Sequence, residues 1–372
     1  MLHRYSQVLP QGRSPWNWNK VRRVASAAIT VAAAALISPL HSAEPGLSSG
    51  VFFWGQDATG MGHGVTFPSE IVDLVATDNV FYCLSGDGNV TQVAGGGPYQ
   101  EFLVPPEATN VVALSAGADH LMALRADGRV IVWGRPPVVP RDLILAVPSD
   151  LTNAVAIAAG YDHCLALRSD GRIAAWGANH RGQLDVPEGL SNVVGLAAGS
   201  AYSIALKQDG SVVDWGNAAL YGNPLARPDL TNVTAIALGH TGAHGLALRA
   251  DGTVVGWQGP TALEVEEWTV PAGLSNVVAI SAGQLQCYAV RSDGITVAWG
   301  WNNHGQTQVP ADLRGVTKAA GGASLTAAVT PAPRILDPPG YIDAHAGQDA
   351  EFTRSEERRV GKECSSRWSP DQ

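Results

Sequence analysis

Charged side chains are scarce in this 372-residue chain, at 15%, and no Cys-x-x-Cys is present among its four cysteines. The first shortage leaves 45% apolar residues, enough to bury a sizeable core. The second argues against a disulfide framework: Cys83, Cys164 and Cys287 are far apart and read as small buried apolar residues. Also missing are His-Glu-x-x-His, Gly-x-Ser-x-Gly, a P-loop and an EF-hand loop, so familiar hydrolase, nucleotide and calcium signatures are excluded. Gly60-Met-Gly-His-Gly64 leads into no helix and reads as a loop rather than a phosphate cradle. After residue 44 helical periodicity is hard to find.

What is present is a repeat. Six Asp-Gly pairs stand six residues ahead of a common slot, and five of the six slots hold Trp: Trp133, Trp176, Trp215, Trp257 and Trp299. Asp87 leads to Val93 instead. A second slot lies ten residues before the Asp, filled by Gly117, Gly160, Gly199 and Gly283, and by Thr77 in the earliest copy. The copy at Gly239 is longer by two. A period of about 40 residues marks a solenoid, propeller or array, in which neighbouring units bury faces that no single unit could bury.

Within each unit, short β-branched and apolar runs alternate with turn residues, and Asp-Gly supplies the positive φ of a tight hairpin. Three strands and a weaker fourth, such as Gly182 to Pro187, predict an antiparallel propeller blade, with the Pro at an outer edge. The last copy stops at Thr330 without its third strand, whereas Val51-Phe-Phe-Trp54-Gly55 is a third strand with nothing before it. Joining the two predicts an all-β, seven-bladed propeller closed by an N-terminal strand, with no open sheet edge left at the join. The repeat-phase Trp residues are expected between blades as core aromatics.

Asn153 to Gly171 and Ala174 to Gln183 resemble the regulator of chromosome condensation repeat, and the resemblance covers about 51 to 330. It implies a seven-bladed propeller with an N-terminal closing strand. The copies linked by Val-Pro-(Ala/Glu)-Gly-Leu-Ser-Asn are similar to bacterial secreted members of that family, a group that includes a propeller-type inhibitor of β-lactamases. The sequence departs from the pattern at Val93-Ala94 and at two inserts, 136 to 148 and Gln258 to Thr269.

Outside the propeller, expected over 44–330, three segments differ in character. Residues 1–43 carry Lys20, Arg22 and Arg23, an Ala-rich run and a small-residue end, the pattern of a secretory signal peptide. Residues 331–353 resemble the start of an immunoglobulin-like domain. Residues 354–372, with Cys364, resemble translated adaptor sequence and are set aside from fold reasoning. With the five basic residues of 1–43 and the five basic and four acidic residues of 354–372 removed, 14 basic and 29 acidic side chains remain, a net charge of −15. An acidic body disfavours nucleic-acid binding.

The turns of a blade divide between two ends. Asp-Gly hairpins, nearly uniform around the ring, make one end. The Gly-slot and Trp-Gly loops make the other and vary from copy to copy: Tyr161, Asp162, Asn179, His180, Arg181, Tyr202, His240, Trp301, Asn302, Asn303 and His304 are the candidate binding residues. Tyr, Trp and Arg on short rigid loops have the composition of recognition hot spots. His120 and His163 recur in Gly-x-Asp-His, and the recurrence predicts a structural hydrogen bond within each blade rather than metal ligation. The expected function is therefore an exported, non-catalytic, monomeric binding module for a protein or polysaccharide, with no cofactor or metal. A propeller hydrolase or lyase with a His/carboxylate site at the pore mouth is one alternative. A guanine nucleotide exchange factor-like regulator, implied by the resemblance alone, is the other.

Overall fold

Residues 49–55, 65–67, 69–78, 80–95, 103–135, 141–216, 230–239, 244–258 and 269–330 are described by a computed structural model. His240, Gly60 to Gly64, Cys364 and the three terminal segments lie outside them.

Seven antiparallel sheets follow one another along the chain. Blade 1 holds β3 (Ile71–Ala76), β4 (Val80–Ser85) and β5 (Val90–Gly95), and blade 2 holds β6 (Val111–Ala116), β7 (His120–Arg125) and β8 (Val130–Gly134). A five-residue helix α1 (Arg141–Leu145), inside the first insert, precedes blade 3, formed by β9 (Ala154–Ala159), β10 (His163–Arg168) and β11 (Ile173–Gly177). Blade 4 has β12 (Val193–Ala198), β13 (Tyr202–Lys207) and β14 (Val212–Gly216), and blade 5 has β15 (Val233–Leu238), β16 (His244–Arg249) and β17 (Val254–Gln258). Blade 6 has β18 (Val277–Ala282), β19 (Gln286–Arg291) and β20 (Thr296–Gly300). Blade 7 joins the two ends of the fold: β21 (Lys318–Gly321) and β22 (Leu325–Thr330) pair with β1 (Ser49–Gly55), which carries β2 (Val65–Phe67) on its outer side. The β1–β22 register runs from Gly50 opposite Thr330 to Gly55 opposite Leu325, which is the closure read from the sequence.

Four strands per blade were expected, and the structure corrects this. Among the described residues only blade 7 has a fourth strand. The segment Gly182 to Pro187 forms turns instead, held by both side-chain atoms of Asn179: Nδ2 donates to Asp185 Oδ1 (2.8 Å), and Oδ1 accepts Leu184 N–H (2.9 Å).

A three-stranded sheet has two faces to cover, and its neighbours cover them. The core divides into seven clusters, each shared by two successive blades. In six of them the later blade contributes the repeat-phase Trp: Trp54, Trp133, Trp176, Trp215, Trp257 or Trp299, all buried. Burying one such side chain removes roughly 200 Å² from water, about 5 kcal/mol by transfer arithmetic, as an upper figure. The seam between blades 7 and 1 lacks a Trp because Val93 stands in that slot. There the pairing of β4 with β5 is irregular at Phe81/Tyr82, and Phe81 fills the space edge-on to Phe53, with ring centroids 5.7 Å apart.

Two backbone rings supplement the packing. At the Asp-Gly end, the hairpin glycine carbonyl accepts the first N–H of the next blade: Gly88 from Val111, Gly128 from Ala154, Gly210 from Val233, Gly252 from Val277 and Gly294 from Val316. Asn110, Asn192, Asn232 and Asn276 enter their strands at φ 54–59°, a left-handed conformation that Asn tolerates and that Gly315 adopts in the last blade. Blade 7 has no Asp-Gly hairpin, since its second and third strands come from opposite ends of the fold. Ser49 Oγ takes the carbonyl's place, accepting Ile71 N–H at 3.0 Å. At the other end Asp78 N–H donates to Ala118 O, Tyr161 N–H to Gly199 O and Ala323 N–H to Asp78 O. The Gly slot exists for this close approach: a Cβ on Gly117 would lie 2.3 Å from Gly160 O and 2.4 Å from its own blade's His120 ring.

Ser49→Ala should lower stability by about 1 kcal/mol, the usual worth of one hydrogen bond, whereas Gly117→Ala should cost about 3 kcal/mol by overpacking against backbone. Urea denaturation of both variants checks the order. Burial, with Asp73 a smaller contributor, pushes the Cys83 thiol up to about 12, and burial raises Cys164 and Cys287 as well. Native protein at mildly alkaline pH should leave these three thiols unalkylated, and mass spectrometry after unfolding should find them all reactive.

Candidate functional site

At the Asp-Gly end the aspartate-capped turn itself recurs in all six hairpins. Asp127, Asp170, Asp209, Asp251 and Asp293 each accept, through Oδ1, the N–H two residues on, at 2.9–3.2 Å, and Asp87 does so at 3.4 Å. Hydroxyl hydrogen bonds from Ser85, Ser211 and Thr253 hold Asp87, Asp209 and Asp251 below the usual carboxylate range. Exposed pairs such as Arg291–Asp293 at 2.9 Å add little stability.

The opposite end surrounds the mouth of a central channel. The inner strands line this channel, about 80 Å³, largely with small residues such as Ala76, Ala116, Ala159, Ala198 and Ala282. At the mouth stands Tyr161, half-buried. Burial first, then the charges of Asp78, Asp119 and Asp162, raise its phenol above the ordinary value. Asp78 Oδ2 accepts a hydrogen bond from Gln284 Nε2 at 3.0 Å, so blades 1 and 6 meet there although 206 residues separate the two groups. Asp78, Asp119 and Gln284 were missed as mouth residues. Their signal is their position, one or two places after the Gly slot, which Tyr161 and Asp162 share.

The recurrent histidines lie deeper, in the seams. The expected hydrogen bond within each blade is in fact a contact between blades: His163 Nε2 lies 2.9 Å from Ser203 Oγ of blade 4, and His120 Nε2 lies 3.4 Å from Cys164 Sγ of blade 3. The reason is geometric. Each His begins a second strand with its ring against the Gly slot, so the ring projects past that slot toward the next sheet. Ser203 donates its one proton to Gln183 O (2.9 Å), so His163 must donate from Nε2. Its Nδ1 has no hydrogen-bond partner among the described residues and lies 3.8 Å from Asp162 Oδ1.

Two loops, one after the third strand of blade 3 and one after that of blade 6, share a brace. Gln183 and Gln306, each seven residues past the Trp of its blade, are buried. Gln183 Oε1 accepts Arg181 N–H at 2.8 Å, and its Nε2 donates to Asp162 at 3.2 Å. Gln306 Oε1 accepts His304 N–H at 2.8 Å, and its Nε2 donates to Ala323 O at 3.3 Å. Their backbone carbonyls cap the next blade's indole: Trp215 Nε1 donates to Gln183 O and Trp54 Nε1 to Gln306 O, at 2.9 and 3.0 Å. In blade 3 the indole of Trp176 is capped similarly, by Ile144 O of α1. The sequence analysis missed this brace, whose signal is the Gly-Gln step repeated at 182–183 and 305–306.

The candidate residues therefore separate. Tyr202 is fully buried and Asp162 nearly so, with its carboxylate engaged by Gln183, so neither presents itself to a partner. Asn179 is exposed but closes its own loop, and Asn302 Oδ1 holds Thr307 N–H at 3.0 Å. His180, Arg181 and Asn303 are exposed, and Trp301 and His304 are half-buried beside them in sequence. Among the described residues the Arg181 guanidinium has neither an ion-pair nor a hydrogen-bond partner, while Arg125, Arg168, Lys207, Arg291 and Lys318 all pair with carboxylates. No group of three or more His, Cys, Asp or Glu among the described residues is arranged to hold a metal ion.

Residues 111–136 and 154–183 match the regulator of chromosome condensation (RCC1) repeat. The second match ends on the Gln183 brace. No curated protein sequence matches the chain significantly. Among solved structures, Prp20p from Saccharomyces cerevisiae, described together with its binding to Gsp1p and histones, is 16% identical with a TM-score of 0.60, covering 87% of this chain and 96% of its own. Human WBSCR16 is 18% identical with a TM-score of 0.56, covering 76% and 98%. The ectodomain of the Physcomitrella patens receptor kinase CR4 is 18% identical with a TM-score of 0.53, covering 68% of each chain. At these identities the likeness speaks for the fold.

Gln183→Ala should cost about 1–2 kcal/mol, since it strands Arg181 N–H and Asp162 together. Amide hydrogen exchange should show faster exchange confined to residues 179–185.

Proposed function

We propose that this RCC1-like repeat propeller is a non-catalytic module that binds a partner protein through its Gly-slot and Trp-Gly loop end, and that residues 1–43 direct its export. One observation carries the reading. The two ends of the same ring differ: the Asp-Gly end repeats one turn, while the braced loops of blades 3 and 6 present His180, Arg181, Asn303, His304 and Trp301 on a rigid frame. Side chains held this way lose little freedom on binding, which favours affinity from few contacts. Arg181 is the anchor for a carboxylate or carbonyl group of the partner, because its guanidinium has no partner among the described residues of an acidic body. Prp20p, of similar fold, binds Gsp1p and histones, and this supports a protein partner rather than a glycan. The exchange-factor reading follows from the RCC1 repeat match and the likeness to Prp20p, and it does not fit the export proposed here.

Capture of binding partners from the native secreted or periplasmic fraction tests the reading, using wild-type chain, Arg181→Ala, Trp301→Ala and Arg129→Ala. Arg129 is the control, an exposed cation at the Asp-Gly end. The two loop variants should each weaken capture by about 10-fold or more, as hot-spot truncations do, while Arg129→Ala should not. Equal capture by all four chains, or glycan rather than protein on the beads, sinks the proposal.

A further inference from the structure

The backbone ring at the Asp-Gly end has one gap. Five hairpin glycines give their carbonyl to the next blade, and Ser49 supplies the bond at closure. Among the described residues the step from Gly171 to Val193, between blades 3 and 4, alone lacks it. The gap is also steric. A Cβ on Gly88, Gly128, Gly210, Gly252 or Gly294 would meet the following connection at 2.7–3.2 Å, whereas a Cβ on Gly171 would meet nothing within 4 Å.

Asp170 is also the least restrained of the six hairpin aspartates. Asp87, Asp209 and Asp251 are bonded by hydroxyls. Asp127 and Asp293 pair with Arg125 and Arg291 at 3.4 and 2.9 Å. Beyond the Arg172 N–H common to this turn, Asp170 has among the described residues only a 3.9 Å approach from Arg172 Nε, a side chain that is 85% exposed.

From these two observations we infer that Asp170-Gly171 is a site of spontaneous backbone modification, where the native protein forms a succinimide and then isoaspartate. The Gly171 backbone nitrogen attacks Asp170 Cγ. An N–Cγ bond forms, a Cγ–O bond breaks, and the amide proton leaves with the departing oxygen as water. Water then opens either ring carbonyl, returning Asp or giving isoaspartate, whose main chain runs through the β-carbon. No oxidant, reductant or co-reactant other than water takes part. The attack requires Gly171 to release its own hydrogen bond to Arg168 O (2.9 Å) and swing toward the side chain. At the other five hairpins the glycine is pinned by the neighbouring blade, so the same swing must also open a seam. At Gly171 it opens nothing else.

The test compares each site with itself. Whole protein is aged at mildly acidic pH, native and in concentrated urea, and isoaspartate at all six sites is quantified by isoaspartyl methyltransferase labelling and chymotryptic peptide mapping. In urea the six Asp-Gly pairs should react at comparable rates. In the native protein five should be suppressed at least severalfold while Asp170 retains most of its unfolded rate. Equal suppression at all six sites, or fastest native reaction at any other pair, overturns the inference.

Discussion

Contact between successive blades is the constraint on which this structure rests. A three-stranded sheet cannot cover its own two faces, so the apolar residues of each unit gain burial only when another unit stands beside them. Seven shared clusters follow from this, each holding strands of two blades, six with an indole from the later one. The same need makes closure unavoidable. An open array would leave the Ile71–Ala76 and Leu325–Thr330 sheets with uncovered faces, and β1 removes that exposure by tying both ends of the propeller into one blade.

The seams also organise the polar groups. His163, Ser203, Gln183, Asp162 and Trp215 form one hydrogen-bonded set spanning two blades. Burying these polar groups is tolerable because most of their atoms find partners across the seam. A consequence is rigidity where recognition would need it. The loops that carry His180, Arg181 and His304 are pinned by side chains reaching down into the seam, so their tips are fixed by the core rather than by their own short sequences.

Departures from the repeat are met locally, one by one. Val93 in a Trp slot is offset by Phe81 against Phe53. The missing hairpin carbonyl of blade 7 is replaced by a serine hydroxyl. Lys318 and Asp73, both almost fully buried and 2.6 Å apart, add a charged tie across the same closing seam. Against this pattern the unfilled step after Gly171 stands out, because nothing among the described residues substitutes for the bond that its five counterparts make.

The architecture was legible because its signals are local. Asp-Gly hairpins, Gly slots and indoles recur at a fixed spacing, and positive φ and strand alternation act over a few residues, so the chain alone specified seven blades and the pairing of Val51–Gly55 with the last strands. The site was only partly legible. Tyr202 and Tyr161 hold similar places after a Gly slot, yet one is sealed in a seam and the other stands at the channel mouth. His163 needed Ser203, 40 residues on, and Asp78 needed Gln284, 206 residues on, before their roles appeared. The sequence determined the unit and its number. Only the folded ring decided which atoms of different units meet, because contacts across a seam depend on how far each side chain projects into the next blade, and nothing in the spacing of one repeat records that distance.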